Sequence, residues 1–332
     1  VSGFIATLPD CSAWAATDVN VSACNTGTGW NRSGGFGGSG PCPSGVRFHI
    51  SPVSQFHRSH RTNTAVVAWL WANGGQVFHP VDSAERYAFL YGPLAYMATG
   101  LIYGIFGAST FSSKLAGTLC LLLALSATAA AVRRRFPAVI YPALVALGYF
   151  SLLALFFKNF SFWSKPDSFM IAASAIGLWS CTLGTKVRPR NLLAWTVCGI
   201  ALGVAIGAKI TGALYFLPYV AWFFERDGIK APFAIGMVAL LVTALPFLAP
   251  ESVSLANYLA WLQAAGGHGL SRTMFVQNAF FAVFALIPLL VWMIKEPGLL
   301  FRHKWITLAA LLAYGLVLIA ASKPGSGPHH FM

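Results

Sequence analysis

Nine acidic residues in a chain of 332 make the place of each acid informative. Asp167 stands in Phe162-Trp-Ser-Lys-Pro-Asp-Ser168, at the mouth of an apolar run. An acid there can satisfy free backbone N–H groups at a helix start, or it can take a proton as a general base. Asp82 and Glu85 in Asp82-Ser-Ala-Glu85 space like a capping box with Asp in the cap position, and Arg86 follows. Two carboxylates brought together, Asp82 and Asp167, would suit a general base, or a divalent cation that neutralises a phosphate or diphosphate leaving group. No other cofactor follows from the residues. Lys209, in Gly207-Ala-Lys-Ile-Thr-Gly212, is a cation embedded in an otherwise apolar stretch. It can snorkel to an interface or hold a phosphate as a point charge. Lys323-Pro-Gly-Ser-Gly-Pro-His329-His330 offers flexible backbone, a cation and two imidazoles, without the strand and helix that define a phosphate loop.

The elements that position these residues follow from composition. A chain that is 57% hydrophobic and 9% charged lies far from soluble usage and reads as an all-α, polytopic membrane protein. Eight spans are expected: Leu115 to Val132, Phe136 to Phe157, Ser168 to Gly184, Leu192 to Ala208, Thr211 to Phe224, Ala231 to Ala249, Gln277 to Ile294 and Trp305 to Ala321. The fifth is short, and Lys209 and Pro218 mark it as a broken or re-entrant partner of its predecessor. Residues 1–62 are rich in Gly, Ser and Asn and read as a disordered segment before a membrane domain over 63–332. Ala65 to Trp71 is too short to cross and reads as the start of an interfacial helix.

The net charge of +13 comes largely from short loops between apolar runs, which is an orientation signal and argues against nucleic acid as a partner. Arg133 to Arg135, Lys186/Arg188/Arg190, Arg226/Lys230 and Lys295/Arg302/Lys304 occupy every second loop and are assigned to the cytoplasm. The loops around 158–167, 209–211, 250–275 and 322–332 are then extracytoplasmic. In that frame Tyr87 to Gly107 is expected to be a juxtamembrane helix on the outer side, since Gly92-Pro93 shortens it and four tyrosines suit an interface. Asp82 and Asp167 then share a compartment. Glu225, Asp227 and Glu296 mix with basic residues and read as solvated loop charges.

The series Glu85-Arg86-Tyr87-Ala88, Tyr91-Gly92-Pro93-Leu94-Ala95-Tyr96, Phe106-Gly107-Ala108-Ser109 and Lys114-Leu115 resembles the first outer loop of GT-C fold membrane glycosyltransferases. The branch it is most similar to is that of protein O-mannosyltransferases and lipid A aminoarabinose transferases. Lys165-Pro166-Asp167, Gly203 to Gly212 and Lys323 to His330 fall in the order that family would place them. The resemblance implies a GT-C-like fold of about eight spans plus the outer juxtamembrane helix, a polyprenyl-phosphate-linked sugar as donor, and transfer to a lipid, glycan or protein acceptor outside the membrane. For a bacterial inner membrane the active site would face outward.

Carried onto this chain, the resemblance makes Asp82 and Asp167 the catalytic acids. Lys209 and Lys323 become donor-phosphate contacts, with Glu85, Arg86, Lys165, His329 and His330 as further substrate contacts. The family's first span does not precede the loop here, so the chain is expected to be a fragment, truncated at its C-terminus as well. Two rival readings are a secondary transporter, favoured by the broken helix at Lys209, and an inactive membrane fragment.

Overall fold

Apolar runs separated by Gly, Pro and short charged loops can satisfy their backbone groups in lipid only as helices, and among the described residues every regular element is helical. The computed structural model describes residues 60–83, 91–156, 165–183, 188–267, 269–295, 298 and 302–323, all within Val53–Met332. The segment expected to be disordered falls almost wholly outside them.

Helices α1 (His60–Ala72) and α2 (Pro93–Phe106) lead into α3 (Thr110–Arg135) and α4 (Ile140–Phe156). Next come α5 (Pro166–Leu183), α6 (Arg188–Ala208) and the broken pair α7 (Gly212–Tyr215) and α8 (Leu217–Asp227). Then follow α9 (Lys230–Ala244) with a 3₁₀ turn over Leu245–Leu248, α10 (Leu255–Gly266), α11 (Arg272–Lys295) and α12 (Lys304–Ala321). Among the described residues, four helical stretches are long and apolar enough to cross a membrane: Thr110–Arg135, Asn191–Ala208, Lys230–Leu248 and Lys304–Ala321. The other four expected spans coincide with α4, α5, the α7–α8 pair and α11. In α5, Pro166, Asp167 and three serines dilute the apolar run, and the helix is covered by protein along most of its length.

Lipid is as apolar as leucine, so helices in a bilayer associate by close packing of small residues. On α6, Ala194, Cys198, Ala201 and Ala205 form one fully buried stripe. Gly199 and Gly203 meet α9 so closely that a Cβ on either would stand 2.7 and 2.6 Å from the Cβ atoms of Val238 and Val242. Matching residue numbers increase together along both helices, so α6 and α9 run parallel and the α7–α8 pair returns between them.

The contacts sort the loops into two ends. At one, Arg134 donates to the Thr182 carbonyl, and Asn191 and Trp195 of α6 donate to Asp227. Arg226 also grips Asp227 through Nε and Nη2. Burial pushes the Asp227 carboxyl up, but the bonds from Arg226 and Trp195 outweigh it and hold the group below the usual carboxylate range. Glu225 accepts from the backbone N–H groups of Trp305 and Ile306 and meets His303 Nδ1 at 3.0 Å. Glu225 and Asp227 are therefore anchors, correcting their reading as solvated loop charges. The cause is local: the first N–H groups of α12 need an acceptor, and Glu225 supplies it.

At the opposite end, Val77 N–H donates to Ser252, Ser271 N–H to Ser322, and Gly92 N–H to Ala208. Asn257 and Trp261 of α10 donate to the carbonyls of Phe78 and His79. Val67, Val77, Phe78, Tyr96, Val253 and Tyr258 close an aromatic core beneath that segment. Both ends of α2 lie here: Ala95 of its first turn packs with Ala116, Phe169 and Ala208, and Gly107 turns straight into the Ser109 cap of α3. Its 14 residues reach about 21 Å, short of the roughly 30 Å a span requires. Helix α2 stays at one end of the bundle, with Leu101, Ile105 and Phe106 exposed.

The tightest joint is between α2 and α6. A Cβ on Gly92 would stand 2.2 Å from the Gly207 carbonyl oxygen, although φ −71° and ψ 163° suit any residue. The constraint is space rather than conformation. Gly92→Ala is expected to cost about 1–3 kcal/mol of stability by overpacking against backbone. Gly104→Ala, with nothing within 4 Å of the added carbon, should be neutral or gain up to about 1 kcal/mol in helix propensity. Thermal unfolding of both variants in detergent checks the contrast, and equal midpoints would contradict it.

Candidate functional site

Three segments far apart in sequence converge at that joint. Pro166 occupies the first position of α5, where its fixed φ and missing N–H cost nothing. Asp167 follows within the first turn, and Ser168 Oγ ties the turn back to the Lys165 carbonyl at 3.0 Å. Helix α6 ends at Ala208 because Gly212 must fold back onto Ala205: a Cβ there would meet the Ala205 carbonyl oxygen at 2.4 Å. The Gly212 N–H closes the turn on the Lys209 carbonyl at 2.7 Å. The third segment, Tyr91-Gly92, is held by Gly92 N–H on Ala208 at 2.8 Å.

The result is an ion pair. Lys209 Nζ lies 3.6 Å from Asp167 Oδ1, with side-chain exposures of 12% and 5%, and 5.8 Å above the Tyr91 ring. Asp167 stands in the first turn of α5, where an acid complements the helix start, and pairs with Lys209 as well; Lys209 is turned inward onto a carboxylate and a ring rather than snorkelling outward. A carboxylate and an ammonium removed from water each require the other. Burial raises the Tyr91 phenol above its ordinary pKa, and the charge of Asp167 raises it further. Tyr91 therefore stays a neutral donor beside an anion.

Asp167 also lines a cavity of about 680 Å³ between α3, α4, α5 and the α7–α8 pair. Its other walls are mostly apolar or aromatic, including Val145, Tyr149, Met170, Leu178, Tyr215 and Tyr219, with Thr128 and Ser174 as the polar exceptions. From Asp167 to Leu178 it follows α5 for roughly 16 Å. The site thus has one charged end and a long apolar body.

The remaining expected residues distribute unevenly. Asp82 is exposed on the turn after Pro80, in the segment seated on α10 at the same end of the bundle, whereas Asp167 is buried. Lys323 donates to the Ala265 carbonyl at 3.4 Å, at the C-terminal end of α10, and so serves a helix terminus. Glu85, Arg86, His329 and His330 lie outside the described residues. Lys165 neighbours the pair in sequence and fixes the start of α5 through its carbonyl. The sequence alone places Tyr91 among the interfacial aromatics and does not reveal its place beside the pair; its adjacency to Gly92-Pro93 is the signal that ties it to this joint. Among the described residues no three His, Cys, Asp or Glu side chains gather as metal ligands. The carboxylate of Asp167 meets an ammonium instead of a second acid.

Breaking a buried pair leaves a bare charge, while removing both charges does not. Asp167→Asn and Lys209→Met are each expected to lose about 3 kcal/mol or more, and the double variant to recover much of it. A thermal double-mutant cycle reads this directly; additive losses would mean the two charges do not interact. Comparison with known proteins then bears on the chemistry. No curated protein and no solved structure matches the chain. Residues 91–253, the stretch from Tyr91 through α2, the Asp167–Lys209 pair and α9 to Val253, match the family model described as dolichyl-phosphate-mannose-protein mannosyltransferase, which supports a membrane glycosyltransferase of the GT-C kind.

Proposed function

We propose that the chain transfers a sugar from a polyprenyl-phosphate donor to an acceptor hydroxyl or phosphate, with Asp167 and Lys209 at the reacting centre. The observation that carries this reading is the buried Asp167 carboxylate, paired with Lys209, at one end of a largely apolar cavity. An isoprenoid chain needs an apolar slot, and its phosphate needs a cation at the end of that slot. A transporter would hold its charges near the midplane of the bundle, whereas this pair sits where α5 begins and α6 ends.

In the proposed step, the donor phosphate draws Lys209 away from Asp167, so substrate binding itself uncovers the carboxylate. Asp167 then orients the acceptor O–H and receives its proton. The acceptor oxygen bonds to the anomeric carbon as the bond from that carbon to the phosphate oxygen breaks. Polyprenyl phosphate leaves with the electron pair, and Lys209 stabilises the charge it gains. Tyr91 donates from beside the pair. Asp82, exposed at the same end, is placed in this reading to meet the acceptor. By the positive-inside rule that end faces away from the cytoplasm.

The test is transfer of radiolabelled sugar from a panel of polyprenyl-phosphate sugars by the purified chain in liposomes. Asp167→Asn should lower kcat about 10²–10⁴-fold as a lost general base, and Lys209→Met about 10²–10³-fold as a lost electrostatic stabiliser. The double variant separates chemistry from folding: with its stability restored it should remain inactive. Wild-type-like transfer by the double variant would remove both residues from the mechanism.

A further inference from the structure

The opposite end of the bundle carries a second pocket, of about 580 Å³, between α8 and the start of α12. Trp222, Glu225, Arg226, Arg302, Lys304 and Trp305 line it. Two of its charges are already committed: Glu225 to the backbone of Trp305 and Ile306 and to His303, Arg226 to Asp227. Among the described residues no carboxylate pairs with Arg302 or Lys304, and Lys304 rests 5.7 Å over the Trp305 ring. The pocket is left cationic. Trp222, one of its lining residues, also carries a buried indole N–H with no hydrogen-bond partner.

A buried donor without an acceptor is costly and calls for one. Cations together with an unsatisfied N–H among the lining residues favour an anion with several acceptor oxygens, and an arginine fork with a lysine point charge is a phosphate-binding combination. We propose that this pocket binds the phosphate group of an anionic ligand, with Arg302 and Lys304 holding its charge and Trp222 donating to one oxygen. A phospholipid headgroup and a free phosphate present the same chemistry here. The lipid is favoured by what continues from the pocket: on α12, Trp305, Leu308 and Leu312 share one exposed face, a path for acyl chains beneath a headgroup. The basic loops of the chain gather at this end, where anionic lipid is attracted most strongly.

Native mass spectrometry of the full chain with phosphatidylglycerol, phosphatidylcholine or inorganic phosphate tests the proposal and separates the sources. Phosphatidylglycerol should be retained about tenfold more than phosphatidylcholine, and Arg302→Gln with Lys304→Gln should abolish most of that preference. Trp222→Phe keeps the ring and removes only the donor, so it should weaken retention several-fold with the fold intact. Arg133→Gln with Arg135→Gln, basic residues outside the pocket, should leave the preference unchanged. Retention of inorganic phosphate that depends on Arg302, Lys304 and Trp222, without lipid preference, would keep the phosphate site and assign it a soluble ligand. Equal retention of both lipids with no phosphate bound, or a preference that survives all three pocket substitutions, would overturn it.

Discussion

The end that carries the candidate site depends on two opposite charges 3.6 Å apart with almost no access to water. A carboxylate and an ammonium removed from water each require the other, so the fold must deliver both to one point. It does so by removing side chains where backbones meet. Gly92 touches Gly207, Gly207 leaves room for Leu94, and Gly212 folds onto Ala205, so the turn bearing Lys209 is pinned from two directions. Asp167 is set by Pro166 and by its rigid position in the first turn of α5. The ion pair is as much a test of this packing as a product of it.

The same logic separates what could be read in the sequence from what could not. Periodic placement of Arg and Lys between apolar runs assigns the loops to two alternating sides, and the hydrogen bonds gather those same loops into two ends. The individual charges Asp167 and Lys209 also stand out, because a charge inside an apolar run is expensive wherever it lies. Their pairing does not, since 42 positions separate them and nothing local encodes the contact. Tyr91 belongs to the same class: its chemistry comes from Asp167, which is distant in sequence. The inner acids Glu225 and Asp227 are illegible for a different reason. A charged loop and a buried helix anchor have the same composition, and only the need of α12 and Trp195 for an acceptor tells them apart.

Helix α5 and the α7–α8 pair, both expected as spans, depart from a long apolar helix for physical reasons. An apolar run counts residues, whereas a membrane counts continuous rise and lipid-facing surface. Helix α5 spends its surface on α3 and α6, with most of its residues buried, so it can tolerate serines and an aspartate that a lipid-facing helix could not. The α7–α8 pair breaks at Phe216-Leu217-Pro218, where Phe216 is fully buried and contacts Tyr219 edge to face. Breaking a helix in lipid exposes backbone groups unless protein surrounds them, and here α5 and α6 do.

That broken pair also gives the molecule its asymmetry. Within the 19 positions from Lys209 to Asp227 it carries the site cation at one end, and Glu225 and Asp227 at the other. Within the site, the pair balances: one carboxylate, one ammonium. At the far end, the described acids are consumed by helix termini and by Arg226, so among the described residues Arg302 and Lys304 are left over. In the proposed mechanism a donor phosphate at the balanced pair would displace Asp167 from Lys209, which would couple binding to release of a base. A phosphate at the far end displaces nothing and only fills a charge deficit. The first arrangement suits turnover and the second suits residence, and a single short segment of chain holds both in register.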